Sequence, residues 1–302
     1  MNGLRWLMRI LMVVAVGAWL PGATWAGPPA QKLPSALLVF PFIEADGAHD
    51  TRIELVNLSG DPQVVQCFYV TGSSCNEVDF FVYFTPYQPL SWLASAGLND
   101  VLTGSAVPPF FGDGEIKCVV VPPHPQVQFH NTMQGRATVF GTDGRTVSYN
   151  AVGFLRLTDG DFSNVITLNG STYAQCPDKL HFQVLADQPG STSELVLVPC
   201  TQDLLHQVPT STTVQFLIAN EFEQTFSTSI MVTCFDRRAL GDISTSLTRS
   251  VLGTDTAHLI VRGTSSPLLG LAIDTVSFAG KTGTAGNEPS FQGGRSATVT
   301  LP

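Results

Sequence analysis

The chain has 302 residues, enough for one large or two modest domains, and 44% of them are apolar against 13% charged, which excludes a disordered chain. A formal net charge of −9 argues against nucleic acid and against an anionic membrane surface as partners. Twenty-seven glycines and twenty prolines, without charged helical heptads, point to short strands joined by turns.

In chain order, residues 1–26 read as a signal peptide. Arg5 and Arg9 form a basic start, Ile10 to Leu20 an apolar core, and Pro21-Gly22 a breaker before Thr24-Trp25-Ala26. The apolar run falls short of the roughly 20 residues that a membrane-spanning helix needs, and no later stretch is long enough. The expectation is an exported chain, secreted or periplasmic, with no membrane span after cleavage.

A strand is predicted over Ala36 to Phe42, followed by strands at Ile53 to Asn57, Val64 to Val70 and Val78 to Phe84. The last of these, aromatic on both faces, predicts a strand covered on both sides. Prolines and glycines dominate from Thr85 to Gly114. Strands are expected again at Ile116 to Val121, Ala137 to Phe140 and Val147 to Leu157, the last two flanking the turn signal Asp143-Gly144.

The second half repeats the first. Ile53, Leu55 and Asn57 fall against Phe216, Ile218 and Asn220, and Val65, Cys67 and Phe68 against Val232, Cys234 and Phe235. The preceding strands also match, at Ala36 to Pro41 and Glu194 to Pro199. With Asp187 to Ser193 as a linker, the reading is all-β with little helix: two tandem antiparallel Ig-like β-sandwich modules, over 27–188 and 193–302. The run from Leu195 to Cys200, followed by Thr212 to Phe235, resembles segments of exported bacterial proteins with repeated Ig-like β-sandwich modules. That resemblance implies export and a β fold, and it implies no activity.

Complete catalytic or metal signatures are missing. No Gly-x-Ser-x-Gly elbow or His-Glu-x-x-His occurs, and Gly280-Lys281-Thr282 lacks the first glycine of a phosphate loop. Asp159, Asp161 and Ser163 space oxygens like a calcium loop but lack its glycine and closing glutamate. His124 and His130 have no cysteine or carboxylate beside them. No cofactor and no metal is expected. The ligand-binding candidates come from the repeat, where Asp46 and His49 follow Pro41 and Asp203 and His206 follow Pro199 in the same Asp-x-x-His spacing. A carboxylate and an imidazole so placed can hold a ligand's hydroxyls, or simply cap a turn. Among the aromatic residues from Phe80 onward, Tyr87 and Trp92 are the candidates for an exposed stacking surface.

Six cysteines in an exported chain predict three disulfides with fifteen possible connectivities. Strand order favours Cys200–Cys234, then Cys67–Cys75 across a short turn, leaving Cys118–Cys176. The function expected is that of a binding or structural surface component whose partner is a protein or glycan. The alternative is a secreted hydrolase with its site in the long loops between Thr85 and Gly114.

Overall fold

Period-two alternation shapes most strands. In Ser211–Asn220 the buried positions are Thr212, Val214, Phe216, Ile218 and Asn220, one face of the pleat. The computed structural model describes residues 33–121, 131–158 and 163–302, and 63% of these described residues are in strands and 4% in helix. The segment read as a signal peptide, and His124, His130, Asp159 and Asp161, lie outside the described residues. No helix among the described residues is long and apolar enough to cross a membrane.

The chain is all-β as expected, but the expectation of two tandem Ig-like sandwiches is overturned: five sheets are arranged as the blades of a five-bladed β-propeller. Blade one has the order Val152–Phe154, Leu37–Ala45, Gly112–Val121, Gln63–Thr71, Glu77–Phe84. Blade two runs Thr146–Asn150, Met133–Gly141, His49–Asn57, Pro89–Leu93, and blade three Val165–Leu168, Ala297–Thr300, Gln202–Asp203. Blade four runs Thr225–Thr233, Ser211–Asn220, Thr256–Gly263, Lys179–Leu185, Ser290–Gln292. Blade five runs Asp236–Ala239, Ser191–Pro199, Leu268–Phe278, Lys281–Asn287. The arrangement is irregular for a propeller, since no blade is a meander of consecutive strands.

Blade composition shows why separate modules fail. Lys179–Leu185 lies between Thr256–Gly263 and Ser290–Gln292 in blade four, and Val165–Leu168 pairs with Ala297–Thr300 in blade three. Each pairing joins residues on opposite sides of 187–193. That segment is a tight turn, in which the Gln188 amide donates to Ser191 at 3.0 Å. The physical cause lies in Ser191–Pro199, which is apolar on both faces. Val196 and Val198 enter one core with blades one, two and three, while Leu195 and Leu197 enter a second core with blade four. A strand buried on both sides needs a sheet against each face. Leu37–Ala45 is buried at all nine positions for the same reason. Glu77–Phe84 reverses the expectation. Phe80, Val82 and Phe84 are buried, while Asp79, Phe81 and Tyr83 face outward.

All six cysteines are paired, but none of the three pairings follows the expected map. The bonds are Cys67–Cys118, Cys75–Cys234 and Cys176–Cys200. Cys67 and Cys118 face each other in register on adjacent strands of blade one. Cys75 and Cys234 both sit in left-handed turns, at φ 60° and 48°, and these bring the two distant turns together.

Candidate functional site

The first Asp-x-x-His segment turns the chain from Leu37–Ala45 into His49–Asn57. Gly47 takes φ 89°, and the Asp46 carboxylate accepts from the Ala48 and His49 amides at 2.9 and 2.6 Å. The His49 ring closes back on the same carboxylate, with Nδ1 at 3.1 Å from Oδ2. These bonds, the His49 amide first and its ring second, hold the Asp46 carboxyl down at about 2. On the far side of the ring, Nε2 meets an Arg145 guanidinium nitrogen at 2.8 Å. A guanidinium only donates, so Nε2 accepts and Nδ1 carries the proton toward Asp46.

The structure adds a residue that sequence reasoning missed. Glu44 is 6% exposed at the end of its strand and lies 3.6 Å from His49 Nδ1. Arg237 donates to Glu44 Oε1 at 2.7 Å and to Glu194 Oε2 at 2.8 Å, and its guanidinium lies 4.8 Å from the centre of the Phe42 ring. Glu44, Asp46 and His49 each place one ligand atom within 4.8 Å of the others. Three ligands match an open zinc site. Here, however, Arg145 and Arg237 hold the same imidazole and carboxylate. The cluster is a charge-compensated junction between blades one, two and five.

The second copy keeps the motif and loses the third group. His206 donates its amide to Asp203 at 3.1 Å and sets Nδ1 2.9 Å from Oδ2, in an exposed turn. Two residues before the aspartate, where the first copy has Glu44, the second has Thr201, and the neighbouring Gln202 is buried in the core. The two Asp-x-x-His turns are not brought together into one site by any contact between them.

Trp92 is buried at 4% exposure, donates Nε1–H to the Tyr69 hydroxyl at 2.7 Å, and meets Phe80 edge-on. It is a core residue and cannot stack on a ligand. Tyr87 is 68% exposed and packs its hydroxyl end over Gly60, so the two candidates do not share a surface.

Two further features carried no motif. His181 and His258 stack at 5.3 Å on blade four, with Nδ1 of one 3.1 Å from Nε2 of the other. Burial, and then His181, lower the His258 pKa. Beside them a cavity of about 390 Å³ is lined by Gln183, Asn220, Glu221, His258, Asp274 and Asn287. Burial raises the Asp274 carboxyl, against the hydrogen bond from Ser193.

The other feature is a small hairpin of Leu98–Asp100 and Ser105–Val107 beside the outer strand of blade one. Asp100 fixes its turn by accepting from the Leu102 amide at 3.0 Å and the Thr103 hydroxyl at 2.7 Å. Ser105 Oγ anchors it by accepting from the Tyr83 amide at 2.9 Å. At the tip Val101 is 88% and Leu102 96% exposed. The signal in sequence was an apolar pair between Asp100 and Gly104, where turn chemistry favours polar residues.

No family model matches the chain, and neither the curated proteins nor the solved structures give a match to it.

Proposed function

We propose that the protein is an exported component, secreted or periplasmic, that acts as a binding or structural surface protein. The partner is a protein, held at the apolar hairpin of blade one. The observation that carries this reading is the fixed hairpin tip with Val101 and Leu102 in water, flanked by Phe81 at 39% and Tyr83 at 40% exposure. Apolar side chains on an ordered protrusion gain free energy only when something covers them, about 25 cal/mol per Å². Three disulfides are the chemistry of an oxidising compartment and support export. A protein partner is favoured over a glycan because Trp92 is withdrawn into the core, leaving no paired ring platform with Tyr87. The hydrolase alternative drew on these same loops. Among the described residues the histidines contact carboxylates, Arg145, Gln292 and each other, and no serine or threonine hydroxyl is bonded to one.

The test is capture from the exported fraction with the wild-type chain and with Leu102→Asp. Because the Leu102 side chain is almost wholly exposed, the variant should keep the wild-type melting temperature. A partner retained by wild type and depleted at least about tenfold by the variant supports the reading. Equal capture by both proteins would remove the hairpin from the binding surface.

A further inference from the structure

Glu115 and Lys117 are two residues apart on Gly112–Val121, so their side chains leave the same face of blade one. Gln202 of blade three covers that face. Glu115, Lys117 and Gln202 are 0%, 2% and 4% exposed. Lys117 Nζ donates to Glu115 Oε2 at 2.5 Å, and Gln202 Nε2 donates to the other carboxylate oxygen, Oε1. One carboxylate thus bridges an amine and a carboxamide. Gln202 Oε1 is buried with no hydrogen-bond partner. A buried amide oxygen left unpaired calls for an explanation. The cross-strand neighbours of Lys117 are Val39 and Phe68, so no water-facing group competes for the amine. Burial pushes the Lys117 pKa down, against the opposing charge of Glu115. A desolvated amine of this kind is a competent nucleophile once it gives up a proton.

We propose that Lys117 and Gln202 join in an intramolecular isopeptide bond, with Glu115 as the proton carrier. Lys117 passes a proton from its ammonium to the Glu115 carboxylate, which makes a neutral pair in the apolar core. The amine lone pair attacks Gln202 Cδ, and the protonated Glu115 donates to the carbonyl oxygen, the atom that otherwise has no partner. Glu115 recovers a proton from the attacking nitrogen and delivers it to the carboxamide nitrogen, which departs as ammonia with the electrons of the broken C–N bond, while the hydroxyl oxygen re-forms the carbonyl and returns its proton to Glu115. The products are a secondary amide, one ammonia and a neutral Glu115 carboxylic acid. Five exchangeable hydrogens enter, three on the ammonium and two on the carboxamide. Five leave: one on the amide, three on ammonia and one on Glu115. No oxidant or other reactant is required. The bond would join the residue before Cys118 to one two residues after Cys200 and, unlike the disulfides of those cysteines, it would survive reductant.

The full chain, recovered from an oxidising compartment, is reduced, alkylated, digested with trypsin and examined by tandem mass spectrometry. The expected product is one branched peptide joining the segment around Lys117 to the segment around Gln202. It should be lighter than the sum of its two parts by one ammonia, about 17 Da. Trypsin should also fail to cut after Lys117. Glu115→Ala and Lys117→Arg should yield only linear peptides. Linear wild-type peptides with unmodified Lys117 and Gln202 in stoichiometric yield would overturn the proposal and leave an ordinary buried ion pair. The deciding measurement is made on the wild type, so a variant that fails to fold does not affect it.

Discussion

Glu77 begins the outer strand of blade one with one carboxylate oxygen buried and unpartnered. Burial first, and the charge of Asp79 second, push its carboxyl up to about 7. A raised acid pKa means that the folded state binds the proton more tightly than the unfolded one. The penalty is therefore absent below the ordinary value of 4.5, grows as pH rises toward 7, and is complete above it. Glu77→Gln should raise the melting temperature at about pH 8 and leave it unchanged at about pH 4. A gain of equal size at both pH values would show that charge is not the cause. Legibility at this scale was uneven. Asp46 and His49 were visible because local spacing makes their contact. Glu115 and Lys117 alternate with Ile116 and Cys118, a pattern that reads as a charged face in water. Nothing in a two-residue period says whether the polar face meets solvent or another sheet.

Strands were legible as elements, and their partners were not. The repeated asparagines do the same work in both copies. Asn57 accepts from the Ser59 amide and donates to the Asp61 carbonyl, while Asn220 accepts from Phe222 and Gln224 and donates to the Leu252 carbonyl. After that shared turn the copies diverge. Thr225–Thr233 folds back on Ser211–Asn220 within blade four, whereas Gln63–Thr71 leaves His49–Asn57 for blade one. Pairing depends on contacts far along the chain, and local alternation does not encode it. The consequence concerns the segment 193–302. Without Lys179–Leu185 it loses Leu180, Phe182 and Val184 from the second core, each worth about 1.5–3 kcal/mol of burial. Against a typical total stability of about 5–15 kcal/mol, that loss is decisive. The isolated segment should show no cooperative urea transition by circular dichroism. A single sharp transition would establish it as an independent domain.

Across the whole molecule the disulfides decide how the halves hold together. Cys67–Cys118 locks two neighbouring strands of blade one, and Cys176–Cys200 spans 24 residues from the approach to blade four to the exit from blade-five strand Ser191–Pro199. Cys75–Cys234 is different, because it joins a blade-one turn to the turn between blades four and five, 159 residues away. The sequence offered the right number of bonds and the wrong map. Strand ends were judged by order along the chain, and stacking brings distant ends together instead. In the chain-entropy model a loop this long restricts the unfolded ensemble by about 5 kcal/mol. Against this stands the left-handed backbone at both cysteines, which costs a residue with a Cβ about 1–2 kcal/mol and can relax when the bond is removed. Replacing Cys75 and Cys234 together by serine should therefore lower stability by about 1–3 kcal/mol in urea denaturation at equilibrium. The slope of the transition should also steepen, since an unfolded chain freed of its longest loop exposes more surface. A loss under about 1 kcal/mol with an unchanged slope would mean that the packed blades, and not the cross-link, hold the two halves in place.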